Sequence, residues 1–263
     1  MNQITRLQFL INYLIQENKL EIELPTEQAQ LFSLYRSLVN IREAKTATDK
    51  FIMIQNKMLK NEIKRKGIID SSNFKKSMNI WRGDITQLKV DAIVNAANNQ
   101  MEGCFIPGHN CIDNAIHTFA GVQLRNECHQ IMSKQRYLEP TGKAKITNAY
   151  NLPCRYIVHT VGPIVHNVLT DEKRFLLAEC YRNCLKKAEA YGLKSIAFCC
   201  ISTGVFNFPK KEAAQIAINT VSTFLKGSQI EKVIFNVFKE DDEMIYQQLL
   251  NNKSKSPLCF LYA

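Results

Sequence analysis

Two cysteines and a histidine lie within eight residues of one another in this 263-residue chain. Cys104, His109 and Cys111 belong to the segment GCFIPGHNC, whose proline and glycines suit a loop that wraps around a cation. Thiolate and imidazole groups are ligands that zinc prefers. Three protein ligands with an open fourth position are typical of a catalytic zinc site, whereas a structural site has four. The segment therefore predicts a metal site, and the alternative is a chance grouping of two buried thiols and a loop histidine.

Three further segments carry groups suited to a polar, anionic ligand. The amide-rich NAANN, residues 95–99, follows an apolar run, and asparagine both donates to and accepts from sugar hydroxyls. The alternative for this segment is an ordinary turn. The segment STGVFNFP, residues 202–209, precedes a predicted helix, so its backbone amides predict a phosphate cradle. The acidic turn GDIT, residues 83–86, is by itself no more than a candidate helix cap.

The elements that must position these groups alternate in type from residue 79 onward. Short β-branched runs predict strands, which we expect to be buried on both faces: NIWRGD, DAIVNAAN, RYIVHTVGP, KSIAFCCIS and EKVIFNVFK. Amphipathic runs predict helices over residues 113–132, 172–191, 209–226 and 241–252. This alternation predicts a three-layer α/β domain, in which functional groups gather in the loops that follow the strands.

The first 70 residues have a different character, because their apolar residues recur at helical spacing. The run KNEIKRKG predicts a basic helix end that stops at Gly67, and we interpret residues 60–66 as a solvated helix face. The sequence therefore predicts a helical N-terminal extension over residues 1–70 and an α/β domain over residues 71–263.

Composition limits the cellular compartments and the classes of binding partner that we expect for the chain. The net charge of +10 favours anionic partners without choosing among nucleic acid, nucleotide and acidic protein. No apolar run approaches the roughly 18 residues of a membrane helix, and the start of the chain lacks the pattern of a signal peptide. The nine cysteines are an odd number, and Cys199 and Cys200 are adjacent in an apolar run, which makes a poor disulfide framework. We expect a cytoplasmic protein with no membrane partner, and one basic run is too little to predict nucleic-acid binding.

Several motifs together resemble the macrodomain family, which binds ADP-ribose. In order over about residues 79–240 they are WRGDIT, VDAIVNAANN, DNAIHTFAG, YIVHTVGP and ISTGVFNFP. The segment GCFIPGHNC stands where commoner members have a glycine-rich stretch, and it resembles the zinc-dependent branch, which microbes often encode beside a sirtuin-type ADP-ribosyltransferase. The segment LYRSLVNIR, residues 34–42, is similar to one in the N-terminal extension of that branch. The resemblance implies a three-layer α/β/α macrodomain with a central mixed sheet.

The resemblance also implies a role for each matching residue. Asp84 would accept a hydrogen bond from the adenine amine beside the backbone of Ile85, and Phe238 would lie on the adenine side. Asn98 would contact the distal ribose and Asp113 would orient a water, which makes these two the catalytic candidates, although the rebuilt loop before Asp113 sets it apart from commoner members. One zinc ion would be held by Cys104, His109 and Cys111. The diphosphate loop would consist of Ser202, Thr203, Gly204, Val205 and Phe206, with Phe206 against the distal ribose.

By this resemblance the chain is a zinc-dependent hydrolase. It would remove mono-ADP-ribose from aspartate- or glutamate-linked sites on a modified protein, for which the resemblance suggests a lipoyl-carrier protein. One alternative is a module that reads ADP-ribose without cleaving anything, and such a module should keep its binding after chelation. Another is a nucleic-acid-binding protein, whose affinity should fall steeply with salt.

Overall fold

A computed structural model describes residues 1–255, so residues 256–263 of the predicted α/β domain lie outside the described part. The central sheet has six strands in the order β2-β8-β7-β4-β6-β5, in which β5 is antiparallel to β6 and all other pairs are parallel. Two short strands pair separately and in parallel, namely β1 (Ile69–Asp70) and β3 (Leu88–Lys89). The six sheet strands are β2 (Met78–Arg82), β4 (Ala92–Ala97), β5 (Ala144–Asn148), β6 (Tyr156–Val161), β7 (Ser195–Phe198) and β8 (Lys232–Val237).

Helices flank this mixed sheet, which confirms the predicted macrodomain architecture. One group, in which consecutive helices pack against each other, consists of α6 (Asp171–Ala190), α7 (Lys210–Leu225) and α8 (Glu240–Lys255). A second group, next to β4 and β5, consists of α4 (Ile112–Ala120) and α5 (Val122–Gln135). The five predicted strands and the last three predicted helices all form, because their apolar periodicity matches the layers they occupy.

Two local predictions were wrong, and one strand of the six-stranded sheet was missed. The helix predicted over residues 113–132 is two helices, because Gly121 has a φ of 100°, a backbone conformation that ends α4. The first strand, β2, is half-buried rather than buried on both faces, because it lies at the sheet edge and pairs with β8 alone among the described strands. The edge strand β5 was missed, because its sequence AKITN lacks the continuous apolar run of the inner strands.

The N-terminal helices are present and share their core with the sheet. They are α1 (Gln3–Asn18), α2 (Gln28–Ile41) and α3 (Asp49–Lys66). The side chains of Asn2 and Thr48 cap α1 and α3, and the last turn of α3 is basic, as the helix dipole favours. Apolar residues such as Leu10 and Tyr35 belong to the same buried cluster as Ile93 of β4. Helices α2 and α3 both pack on α4, which begins directly after the predicted metal loop.

Within residues 1–255, no helix combines the length and the apolar character that crossing a membrane requires. The eight described cysteines are all free, and Cys259 lies outside the described residues.

Candidate active site

Loops at one edge of the sheet carry the predicted site residues. Strands β2, β8, β7, β4 and β6 run parallel, so their carboxyl ends meet at one edge, where ligands bind in open α/β sheets. Asp84 follows β2, Phe238 follows β8, residues 202–206 follow β7 and Asn98 follows β4. The structure thus brings the predicted nucleotide-binding residues and the predicted metal loop to neighbouring positions.

The three predicted metal ligands converge. The ligand atoms of Cys104, His109 and Cys111 lie within 4.8 Å of one another, and the Cys104 Sγ is 3.6 Å from the His109 Nδ1. All three side chains are half-buried. Two sulfurs and one imidazole nitrogen on a partly open face suit a zinc ion with a free fourth position. The donor set therefore fits the metal that the sequence predicts.

The backbone of the metal loop depends on glycine where it starts. Gly103 has a φ of 84°, and a Cβ there would come within 2.7 Å of the His117 ring. The carbonyl of Gly103 accepts a hydrogen bond of 3.0 Å from the Asn98 Nδ2. The Asn98 Oδ1 accepts from the backbone N–H groups of Gln100 and Met101. The Asn98 amide thus joins the end of β4 to the start of the metal loop, and one Nδ2 hydrogen is left for a ligand.

The loop ends on Cys111, which is the N-cap of α4. Its sulfur accepts a hydrogen bond of 3.4 Å from the backbone N–H of Asn114, at the positive end of the helix dipole. Burial, with a smaller contribution from the neighbouring Cys104, raises the pKa of the Cys111 thiol to about 12. Binding of a zinc ion therefore has to displace a proton from this sulfur.

The second catalytic candidate, Asp113, is buried, with 5% of its surface exposed. One carboxylate oxygen accepts a hydrogen bond of 2.8 Å from the Asn95 Nδ2. Burial raises the pKa of Asp113 to about 6, although the Asn95 hydrogen bond and the charge of Arg125 favour the ionised form. Asp113 lies beside the metal loop, but its carboxylate is bound inside the protein rather than free in the cleft.

A second group of metal-binding residue types, His117, Cys128 and His159, is a core cluster. Its ligand atoms lie within 4.8 Å of one another and all three residues are buried. Both ring nitrogens of His159 already have neighbours, the Asn95 Nδ2 at 3.1 Å and the Thr147 Oγ1 at 2.9 Å. Burial lowers the pKa of His159 to about 3 and that of His117 well below its usual value, so both rings are neutral. Both histidines are therefore packed side chains of the core.

The loop after β7 has the features of an anion cradle. Within the described part of the chain, the backbone N–H groups of Gly204, Val205 and Phe206 donate no hydrogen bond. The Ser202 Oγ is buried without a partner, and Ser202 has a φ of 65°. The carbonyl of Phe206 accepts a hydrogen bond of 2.8 Å from the backbone N–H of Val165, which anchors the loop. Successive free N–H groups of this kind bind phosphate oxygens.

Gly204→Ala tests whether this loop binds the diphosphate. A Cβ at Gly204 meets no protein atom within 4 Å, so the fold does not require glycine there. We expect unchanged thermal stability, but about tenfold weaker ADP-ribose binding by calorimetry, because extra atoms in a packed contact cost about 1–3 kcal/mol. The control is Gly227→Ala, since that position is equally open and lies outside the cleft. Equal affinity of both variants would show that the loop does not contact the ligand.

Asp84 lies in a polar cluster that the sequence analysis predicted only in part. Its Oδ1 accepts hydrogen bonds from the backbone N–H of Thr86 at 3.0 Å and from the Thr86 Oγ1 at 2.7 Å. Its Oδ2 accepts from the Lys66 Nζ, which also donates to the Thr86 Oγ1. Burial raises the pKa of Asp84, but the hydrogen bond and charge of Lys66 outweigh it, so the pKa lies below its usual value. The carboxylate is therefore ionised, with one acceptor position left for an amine.

The residues beside Asp84 complete a surface suited to a base. The backbone N–H of Ile85 donates no hydrogen bond among the described residues, whereas its side chain is buried. Phe238 is 76% exposed at the end of β8, the strand next to β2. An ionised acceptor, a free N–H donor and an exposed aromatic ring are the groups that would recognise an aminopurine.

Asp84→Ala is expected to weaken ADP-ribose binding by about 1.5–3 kcal/mol, the value of a hydrogen bond to a charged group. Calorimetry should show this loss while the zinc content stays unchanged. Asp91→Ala is the control, because this carboxylate lies at the opposite end of β4. If Asp84→Ala bound ADP-ribose with wild-type affinity, the turn at residues 83–86 would be a cap and nothing more.

Two residues of this site were not predicted from the sequence. Lys66 was interpreted as part of a solvated helix face, but its Nζ is inserted between Asp84 and the Phe119 ring, 3.8 Å from the ring centroid. Asn114 is fully buried and donates a hydrogen bond of 3.0 Å to the carbonyl of Ile106 in the metal loop. The contacts of Lys66 with Asp84 and of Asn114 with Arg36 join segments that are distant in sequence, which local spacing does not reveal. The end of a basic helix just before the GDIT turn was the available signal for Lys66.

Comparison with known proteins agrees with this geometry. Residues 94–217 match the family model described as "Macro domain". A protein of Treponema medium named protein-ADP-ribose hydrolase is 49% identical over 95% of this chain and 100% of its own length. A Staphylococcus aureus protein of the same name is 45% identical over 95% of this chain and 97% of its own. The structure of a Trypanosoma brucei macrodomain in complex with ADP-ribose is 28% identical, with a TM-score of 0.64, over 88% of this chain and 97% of that one. On sequence and fold together, this chain belongs to the macro domain family.

Proposed function

We propose that this chain is a zinc-dependent hydrolase that removes single ADP-ribose units from aspartate or glutamate side chains of modified proteins. Relatives that are 45–49% identical over most of the chain carry the name protein-ADP-ribose hydrolase, which supports the hydrolase activity. The observation that carries the zinc dependence is the convergence of Cys104, His109 and Cys111, whose ligand atoms lie within 4.8 Å of one another. The hydrogen bond from the Asn98 Nδ2 to the Gly103 carbonyl sets this loop beside the asparagine proposed to hold the distal ribose.

The order of the strands supports one orientation of the ligand. Along the edge β2-β8-β7-β4 lie, in turn, Asp84, Phe238, the loop of residues 202–206 and Asn98. An acceptor for an amine, an aromatic ring, an anion cradle and an amide for hydroxyls follow the order of adenine, diphosphate and distal ribose in ADP-ribose. In this orientation the anomeric carbon of the distal ribose comes next to the metal loop.

The bond to be cleaved joins the anomeric carbon to a carboxylate oxygen of the modified protein. Hydrolysis breaks this carbon–oxygen bond, attaches the oxygen of water to the anomeric carbon and returns the carboxylate to the protein, with the remaining proton passing to solvent. When bound, zinc supplies a Lewis acid that polarises a coordinated oxygen. The free Nδ2 hydrogen of Asn98 binds a ribose hydroxyl, whereas the buried Asp113 carboxylate accepts from the Asn95 Nδ2 and holds that side chain beside the metal loop.

Zinc analysis combined with turnover tests this proposal. We expect close to one zinc per chain, and release of ADP-ribose from glutamate-linked, mono-ADP-ribosylated protein that stops after chelation and returns with added zinc. An arginine-linked substrate is the control for the linkage and should not be cleaved. A protein that binds ADP-ribose but never releases it would be a reader module, and unchanged turnover without metal would refute the zinc dependence.

The identity of the protein substrate and the cellular location stay predictions of the sequence analysis. A lipoyl-carrier protein modified on a carboxylate is the first substrate to compare with other glutamate-linked proteins. The net charge of +10 agrees with an anionic ligand. Binding to nucleic acid with a steep salt dependence, and no preference for ADP-ribose, would favour the nucleic-acid alternative instead.

A further inference from the structure

The segment LYRSLVNIR of α2, residues 34–42, lies directly against the metal loop. The Arg36 Nη2 donates a hydrogen bond of 2.9 Å to the backbone carbonyl of His109, one of the three ligand residues. The Arg36 Nε donates a second hydrogen bond of 2.9 Å to the Asn114 Oδ1. One guanidinium from the N-terminal helices thus contacts both the loop and the first turn of α4.

Asn40, one helical turn after Arg36, holds the other side of His109. Its Oδ1 accepts a hydrogen bond of 3.0 Å from the backbone N–H of Gly108, which has a φ of 63°. Its Nδ2 donates a hydrogen bond of 3.1 Å to the Thr118 Oγ1 in α4. Asn40 is buried, so these hydrogen bonds do not compete with water. The backbone on both sides of the His109 side chain is therefore fixed by α2.

Asn114 extends this network to Cys111. Its backbone N–H donates to the Cys111 Sγ, its Nδ2 donates to the Ile106 carbonyl, and its Oδ1 accepts from Arg36. The loop itself contributes one backbone hydrogen bond of its own, 3.2 Å long, from the His109 N–H to the Ile106 carbonyl. Most of the hydrogen bonds that shape the loop therefore come from outside it.

We propose that Arg36 and Asn40 are positioning residues that hold His109 and Cys111 in the arrangement a metal ion requires. This inference rests on the proposed function, because the metal is part of that proposal. Groups that orient metal ligands raise affinity, because a loop already held in the bound geometry loses less conformational entropy on binding. The N-terminal helices are thereby a working part of the active site and not only an added source of stability.

The proposal is tested by measuring the zinc affinity of the single variants Arg36→Met and Asn40→Ala and of the double variant. We expect the zinc dissociation constant, measured by competition with a chromophoric chelator, to rise roughly 10–100-fold, as for other residues that orient ligands. Arg36→Lys should not have the zinc affinity of the wild type, because an ammonium group cannot make both directional hydrogen bonds. The control is Arg65→Met, since Arg65 is an exposed arginine of the same N-terminal helices and pairs with Glu62 of its own helix.

A second readout does not depend on the metal. In metal-free protein, amide hydrogen exchange of the peptide spanning residues 103–111 should be roughly 3- to 10-fold faster in the double variant, the effect of losing one or two hydrogen bonds. ADP-ribose affinity should stay unchanged, because no hydrogen bond among the described residues joins Asp84 or residues 202–206 to α2. If the double variant and the wild type had equal zinc affinity and equal exchange, the positioning role would be overturned and the proposed function would stand. A wild-type protein that binds no zinc would instead overturn the proposed function.

Discussion

His109→Ala is expected to lower the turnover of glutamate-linked, mono-ADP-ribosylated protein by about three orders of magnitude. Loss of a Lewis acid removes several kcal/mol of transition-state stabilisation, and each 1.36 kcal/mol is a factor of about ten in rate. His109 supplies one of only three ligands, so the variant should also lose most of its zinc. Single-turnover release of ADP-ribose, followed together with metal content, measures both effects.

Folding and ligand binding must be intact for this result to be interpreted. Circular dichroism should show a folded variant, and calorimetry should show ADP-ribose affinity close to wild type, because Asp84 and residues 202–206 lie outside the metal loop. His129→Ala is the matched control, since this exposed histidine of α5 pairs with Glu102 and is not a ligand. A folded, zinc-free His109→Ala protein with near wild-type turnover would reduce the metal to a structural element.

Of the variants considered, Arg125→Met is expected to lower the free energy of unfolding most, by about 3–5 kcal/mol. The reason is that unsatisfied buried acceptors cost about 1–3 kcal/mol each. The Arg125 side chain is buried in α5 and donates to the backbone carbonyls of Val39, Asn40 and Arg42. It also donates a hydrogen bond of 2.7 Å to the Glu102 carbonyl. Arg125 thus satisfies carbonyls at the C-terminus of α2 that have no partner within that helix.

Thermal unfolding measures this effect, with an expected fall in Tm of roughly 6–20 °C for a chain of this size. Burial lowers the pKa of Arg125 to about 10, so the side chain remains charged at neutral pH. Arg155→Met is the control, because this exposed arginine has one ion pair, with Asp91, and such pairs contribute less than about 1 kcal/mol. A Tm equal to that of the control would mean that water replaces the guanidinium at the end of α2.

The sequence was sufficient for the parts of the fold that depend on local periodicity. The buried strands β4, β6, β7 and β8 have continuous apolar runs, and the N-terminal helices have clear helical spacing, so both were predicted. The edge strands were harder, because β2 and β5 face solvent and their composition follows that exposure. The division at Gly121 depends on a single φ angle, which spacing does not reveal.

The residues of the candidate site also fall into those that local sequence predicted and those that it did not. The motifs proposed Asp84, Asn98, the metal loop and residues 202–206 as candidates, because each of these segments follows a strand in the sequence. They did not reveal Lys66, Arg36 or Arg125, whose partners lie 18 to 86 residues away in the chain. Such partnerships depend on how α2 and α3 pack against α4, α5 and the loop after β2, and no single stretch of sequence shows how distant segments pack.

The pairing of β2 with β8 has a consequence for the order in which the site is assembled. Met78 pairs with Val233, so β2 emerges from the ribosome well before its partner. At about 5–20 residues per second, this gap corresponds to roughly 8–30 s of synthesis with an unpaired strand edge. Unpaired edges are where aggregation begins, so this interval is the vulnerable period of biogenesis. Because Asp84 follows β2 and Phe238 follows β8, the proposed adenine end of the cleft is the last part of the site to be assembled in a newly made chain.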